Sequence, residues 1–404
     1  DTATQVAQHA GAKWMLLGSI LQEEPTLIMT SQLVDVESGQ IVASQRVTGD
    51  TDDQVFALVD KLTDEVQEDL ALPAAARGEL DSPIASVTTH SADAYRHYLE
   101  GVEYINKYYG PEAKECFVKA LEYDSTFAMA YLKMASGLIS GRADRREAIA
   151  KAVRYSDKAS KKEKHYIQST AAWIDGDLDT AIAELEAIIE ENPNEKDAYK
   201  ALGDIYRNQR NNSEKAVENY RRAIEIDPMD KFTYNVLAYT YQAMGDIDNY
   251  IWAIYQYMAL APDEANPYDS RGDLYAFSGK LDKAIESYSE ALEKKPDFSP
   301  SIIKLGHMYL FKGDYDTAKA YYSRLTEVDS PEMNSWETML QALVAYRQGQ
   351  FDQGLEMLLA GVAADEAAGF YGDGYFDKGM AIASTYALKG DYDRSLEEVE
   401  KWLQ

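Results

Sequence analysis

The sequence predicts a mainly α protein: an α-α superhelical solenoid of helical hairpins, preceded by a small α+β domain. Two observations predict the solenoid. Several residue types recur at one fixed period, and glycine-bearing turns recur between helix-like segments in step with them. A third observation sets the amino-terminal part aside: residues 1–72 ignore that period and carry strand-like stretches instead.

The period is about 34 residues. Pro193, Pro228, Pro262 and Pro296 mark it, and Ser330-Pro331 falls near the next expected place. Small residues step along with the prolines at Gly203, Ala238, Gly272 and Gly306, and aromatics do so at Tyr206, Tyr241, Tyr275 and Tyr309. Further series are Tyr199, Tyr234, Tyr268 and Ile302, then Tyr220, Ile254, Tyr288 and Tyr322, then Ala223, Tyr257, Ala291 and Leu325. Within one unit, Tyr268, Arg271, Gly272 and Tyr275 share one helical face, and Ala284, Tyr288 and Ala291 share another. Gly272 and Ala284 are small where two such helices would cross. The turn Gly279-Lys280-Leu281-Asp282 separates them: glycine suits a left-handed helix end, and the aspartate is expected to cap the next helix. The turn returns at Gly176-Asp177, Gly245-Asp246, Gly313-Asp314, Gly349-Gln350 and Gly390-Asp391.

This pattern resembles the tetratricopeptide repeat family. The match covers residues 94–404 as about eight to nine repeats, best at 94–127 and 196–332. The unit at 162–195 keeps its turn, Ala181 and Pro193 but has a poor first helix. Segment 128–161 keeps Tyr131 and Ala135 and then loses register. After 333 the pattern loosens around Trp336, Gly349, Gly354, Tyr386, Gly390 and Trp402.

In residues 1–72 a short helix is expected around 4–10, then strands near 13–21, 27–36 and 41–47. Glu37-Ser38-Gly39 is a turn signal. Thr51-Asp52-Asp53 can cap an amphipathic helix carrying Val55, Phe56, Val59, Leu62, Val66 and Leu70, which would cover the sheet. Gly11-Ala12-Lys13, Leu17-Gly18-Ser19, Leu33-Val34-Asp35-Val36, Ser38-Gly39-Gln40-Ile41 and Gln54-Val55-Phe56-Ala57-Leu58 together resemble the domain family of the amino-terminal domain of TolB, a periplasmic protein. The resemblance lacks that family's usual first strand and helix. It implies the sensing or docking region of a larger bacterial regulator, extracytoplasmic and anchored to a membrane through residues outside these. Residues 73–93, with Pro73, Gly78, Pro83 and several serines and threonines, read as a linker. Ser91 or Asp93 is placed to cap the first repeat helix.

Composition limits the function. A net charge of −29 repels phosphate backbones and excludes nucleic acid as the partner of the chain as a whole; a basic protein or cationic peptide suits it better. No apolar run reaches the length of a membrane span, so direct membrane insertion is not expected. The single cysteine, Cys116, lies in the repeat pattern next to Phe117 and is expected to be buried. The five histidines show no zinc spacing, and no nucleophile elbow, phosphate loop or dinucleotide fingerprint occurs. Asp175, Asp177, Asp179 and Glu186 match calcium-loop offsets, but Thr180 stands where that loop needs glycine, so a repeat turn is the better reading. The expectation is a non-catalytic scaffold with no cofactor and no metal.

By resemblance to the repeat family, partner contacts come from the first helix of each unit. Those positions are Lys200, Asp204, Arg207 and Asn208; Phe232, Asn235, Tyr239 and Gln242; Asn266, Asp269, Asp273 and Phe277; and Ile303, His307, Leu310 and Phe311. Tyr239, Phe277 and Phe311 would anchor a peptide; the alternative for each ring is packing against a neighbouring repeat. The lysine–asparagine clamp for a terminal carboxylate is not supported, because Asp204 stands where asparagine would, and Asn266 and Ser270 where cations would. Residues 142–164 hold nine Lys or Arg against four Asp or Glu. They form either a solvated helix face or a docking patch, and the latter would serve self-association into a homo-oligomer.

Overall fold

The computed structural model describes residues 2–9, 12–23, 26–50, 55–70, 89–139, 141–208, 212–327 and 330–403. Most of the linker reading and the Thr51-Asp52-Asp53 cap lie outside these residues. The chain divides into two compact units, 1–246 and 247–404.

The first unit opens with α1 (Thr2–His9), followed by β1 (Trp14–Glu23), β2 (Thr26–Asp35), β3 (Ile41–Asp50) and α2 (Val55–Asp69). The strands form one antiparallel sheet in the order β1-β2-β3. The turn before β3 is held by Asp35, whose Oδ1 accepts from the Ser38 backbone N–H and hydroxyl, both at 2.7 Å. These bonds, the side-chain one foremost, hold the Asp35 carboxyl below its usual range. Alternation along β2 puts Leu27, Met29, Ser31 and Leu33 on one buried face. Leu27 and Met29 pack with Val47 of β3 and with Leu58, Val59 and Leu62 of α2, as the amphipathic spacing requires. The cover stops there. Ile20 pairs with Met29 and Leu16 with Leu33, so they share the buried face, yet they are 69% and 55% exposed. Among the described residues β1 is thus an apolar edge strand with that face open.

Helical hairpins follow. In the first unit they are α3 (Ala92–Asn106) with α4 (Gly110–Tyr123), α5 (Ala128–Met134) with α6 (Arg142–Tyr155), α7 (Lys161–Asp175) with α8 (Leu178–Glu191), and α9 (Lys196–Asn208) with α10 (Ser213–Ile226). α11 (Lys231–Met244) packs on α10. Ser91 caps α3 by accepting from the Ala94 N–H, and Phe56 of α2 meets Tyr95 edge to face. The register loss expected in 128–161 appears as the seven-residue α5. α7, by contrast, is a full helix despite its poor pattern. A reciprocal cap between Ser160 and Glu163 starts it, and Ser169, at the small-residue position, donates to the Ala181 carbonyl across the crossing.

The second unit holds α12 (Ile247–Leu260), α13 (Ala265–Phe277) with α14 (Leu281–Lys294), and α15 (Ser299–Lys312) with α16 (Tyr315–Ser323). It continues with α17 (Pro331–Arg347), α18 (Phe351–Ala367), α19 (Asp373–Leu388) and α20 (Tyr392–Leu403). The Gly-Asp turns behave as their chemistry dictates: Gly176 and Gly313 end their helices left-handed, and Asp177 and Asp314 accept from the third N–H of the next helix. Asp282 does not cap α14. It stands two residues too late, Lys280 occupies the cap position, and Asp282 accepts from Lys312 instead. In the looser last repeats, Lys378 of α19 is fully buried and ion-paired to Asp365 of α18 at 2.6 Å; Ser335 of α17 donates to the same carboxylate at 2.9 Å.

Candidate functional site

The repeat builds its first-helix face from a contact between glycine and tyrosine. A Cβ on Gly203 would lie 2.4 Å from the Tyr220 ring, on Gly272 2.3 Å from Tyr288, and on Gly306 2.1 Å from Tyr322. Glycine lets each ring lie flat across the first helix, and the hydroxyl emerges beside the next residue. Tyr220 therefore donates to Asp204 at 2.6 Å and Tyr288 to Asp273 at 2.7 Å, while Tyr322 meets His307 Nδ1 at 2.7 Å. Three expected partner-facing residues thus carry internal hydrogen bonds.

In the first unit, Lys200 pairs with Asp197 at 3.0 Å and lies 5.0 Å over the Phe232 ring. Burial pushes the Asp204 carboxyl up, against the Tyr220 bond and the cations Arg207 and Lys200. Arg207 reaches Asn208 at 3.2 Å and the Val236 carbonyl at 3.5 Å. Tyr239 and Gln242 are half-buried on α11, and Asn235 is buried. The residue that meets Asn235 was not among those expected. Tyr108, in the turn between α3 and α4, stacks on Phe232 at 5.1 Å and hydrogen-bonds to the Asn235 side chain. Among the described residues Tyr108 is the one non-glycine with positive φ, at 62°, a conformation that costs about 1–3 kcal/mol for such a side chain.

In the second unit, Asp269 is buried rather than presented. It accepts from Ser301 at 2.7 Å and from Lys304 at 2.5 Å, and Lys304 also bonds Asp273 at 2.7 Å. Burial pushes the Asp269 carboxyl up, with Lys304 opposing. Burial works against the Lys304 ammonium, but the two aspartates outweigh it and hold its pKa high. Asn266 donates to the Tyr257 hydroxyl at 3.0 Å, Leu310 is buried, and Ile303 is half-buried. Two expected anchors remain open: Phe277 is 56% exposed and Phe311 62%.

Models described as tetratricopeptide repeat match residues 168–230, 265–298 and 299–331. These segments are tetratricopeptide repeats. One solved structure supports the fold, and others are similar over part of the chain. Yeast Tom70 is 13% identical, with 82% of this chain and 73% of that one covered and a TM-score of 0.52. A MamA structure is 26% identical over 39% of this chain and 91% of that one, with a TM-score of 0.34. A tetratricopeptide repeat protein from Parabacteroides merdae is 15% identical over 60% and 92%, with a TM-score of 0.45. No curated protein sequence matches the chain.

The tetratricopeptide frame explains the remaining candidates. Cys116 is buried inside the first repeat, and its thiol is pushed up by that burial. Asp177 spends both carboxylate oxygens on Thr180, which makes the calcium-like string a helix cap. Three cations of the basic segment form ion pairs: Lys151 with Glu147, Lys161 with Glu191 and Lys162 with Glu195. Among the described residues no helix is long and apolar enough to cross a membrane.

His307 yields a pH prediction. Burial, helped by Lys304, holds its pKa below the ordinary value. Protonation puts a positive charge on a ring that is buried beside Tyr322 and near Lys304. A depressed folded pKa means that the stability is present above the unfolded value of about 6.5 and is lost as pH falls through the folded one. The melting temperature is therefore expected to fall between pH 7.5 and 5, and His307→Gln to flatten that fall. Identical pH profiles for the two proteins would refute the assignment.

Proposed function

We propose that the chain is a non-catalytic scaffold that binds a protein or peptide along the first helices of its repeats, with Phe277 and Phe311 as anchors in the second unit. One observation carries this reading. The two phenylalanines occupy the same place in consecutive repeats and stay more than half exposed, while the polar residues around them satisfy one another. An exposed ring gains about 1.5–3 kcal/mol when a partner buries it, and such rings are common anchors in interfaces. The net charge of −29 favours a neutral or cationic partner.

The test is capture of partners from lysate of the source organism, followed by titration of the captured partner. Phe277→Ala and Phe311→Ala are each expected to weaken binding about tenfold or more, an effect of about 1.4 kcal/mol, with helix content unchanged. Equal affinity for wild type and variants would overturn the anchor assignment.

The resemblance of residues 11–58 to TolB-like domains supports a role as the sensing or docking region of a larger bacterial regulator on the extracytoplasmic side. A self-associating assembly factor is the alternative. The internal pairing of Lys161 and Lys162 weakens the basic segment as its contact, and a mass that rises with concentration would favour it.

A further inference from the structure

The turn at Gly279 departs from its counterparts at two positions. After Gly176 and Gly313 come Asp177 and Asp314, and three residues later Thr180 and Thr317. Each aspartate accepts from the N–H and the hydroxyl of its threonine, which fixes the start of the next helix. After Gly279 the same two positions hold Lys280 and Lys283. Lys280 gives α14 no side-chain cap. A helix without its cap loses stability, so the two lysines answer to something other than the fold.

Their setting shows what that is. With Leu281, Asp282 and Lys312 of the next hairpin they line a cleft of about 520 Å³. Lys312 is tied to Asp282 at 2.9 Å. Lys280 and Lys283 are exposed and, among the described residues, have no ion pair; the Lys283 ammonium lies 5.5 Å over the Tyr275 ring. One carboxylate against three ammonium groups leaves the cleft positive, in a chain of net charge −29. The two exposed rings stand at the same end of these hairpins. Phe277 ends α13 three residues before Lys280, within about 11 Å of it along the chain, and Phe311 directly precedes Lys312. Apolar anchors and unpaired cations thus share one edge of the groove.

We infer that this edge takes a peptide segment in which an apolar residue is flanked by Asp or Glu: the apolar side chain covers Phe277 or Phe311, and the carboxylates meet Lys280 and Lys283. This rests on the reading of the two phenylalanines as anchors. Opposite charge at the margin of an apolar contact fixes orientation and rejects wrong partners. The net charge of the chain governs what approaches as a whole, and the lysine pair governs where the partner's carboxylates lie.

The experiment selects peptides from a random library displayed on phage, with the full chain as bait. A selected peptide is then synthesised with its acidic residues intact or replaced by lysine, and both forms are titrated by fluorescence anisotropy. Lys280→Asp combined with Lys283→Thr rebuilds the cap of the sister turns, so its melting temperature is expected to rise. In that variant the preference for the acidic over the lysine peptide is expected to fall about tenfold or more. Weaker discrimination in a more stable protein is not a folding defect. Selected peptides without Asp or Glu beside their apolar residues, or an acid preference that the variant leaves unchanged, would overturn the inference. The two readings fail separately. Binding lost in Phe277→Ala or Phe311→Ala with no acid preference sinks only the lysine site. An acid preference that follows the lysines, with affinity unchanged in both phenylalanine variants, sinks only the anchors. A library that yields no binder refutes both.

Discussion

Replacing Lys378 by alanine will destabilise the last repeats by about 3–5 kcal/mol, the usual cost of breaking a buried ion pair from one side. Lys378 is fully buried, and its ammonium lies 2.6 Å from Asp365 Oδ2. Asp365 is itself buried and has the Ser335 hydroxyl as its other partner. Truncation removes the cation and the stem that fills the space beside Gly361, leaving a carboxylate in an apolar setting with one neutral donor. Removing both charges together, as Lys378→Met with Asp365→Leu, should recover most of the stability, since a well-packed apolar pair often equals a buried ionic one. Urea unfolding of the three proteins decides the point. A single variant within 1 kcal/mol of wild type would show that the pair contributes little.

Gly272→Ala is expected to cost about 1–2 kcal/mol, although alanine is the better helix former. The gain in helix propensity is about 1 kcal/mol, and overpacking costs about 1–3 kcal/mol. The clash should win, because the new methyl would sit 2.3 Å from a ring that cannot swing aside. Tyr288 is buried and its hydroxyl is tied to Asp273. The repeat register already offers another pairing, for Ala238 and Ile254 stand where the other units have glycine and tyrosine. Gly272→Ala combined with Tyr288→Ile should thus be more stable than the sum of the single changes. Strict additivity in thermal unfolding would show that the ring and the glycine are independent.

The helices and turns of residues 196–332 were legible in the sequence because one unit repeats its own solution. The same small residue, the same ring and the same glycine turn must recur when the same crossing is built again. The three strands of the amino-terminal part were legible from their apolar stretches and the turn at Glu37-Ser38-Gly39. What lay beyond sequence reasoning depends on partners one or more repeats away. Asp269 looks like a free carboxylate on a face, yet Ser301 and Lys304 of the next hairpin bury it. The Lys378–Asp365 pair lies where the period is weakest, so no register pointed to it. Tyr108 left a readable signal, a bulky residue at a glycine position of the register, but its contact with Phe232 needed coordinates.

That contact changes how the first unit should come apart. A stack whose members touch only their neighbours can fray from either end, one hairpin at a time. Tyr108 joins the first repeat to the helix that opens the fifth, and neither end can peel away without breaking the clasp. The intervening hairpins are held in one loop of chain, closed at an entropic cost during folding and released only together. Slow folding with a sharp, shared melt is the behaviour such a ring imposes, and hydrogen exchange across α3–α11 would register it as a single opening.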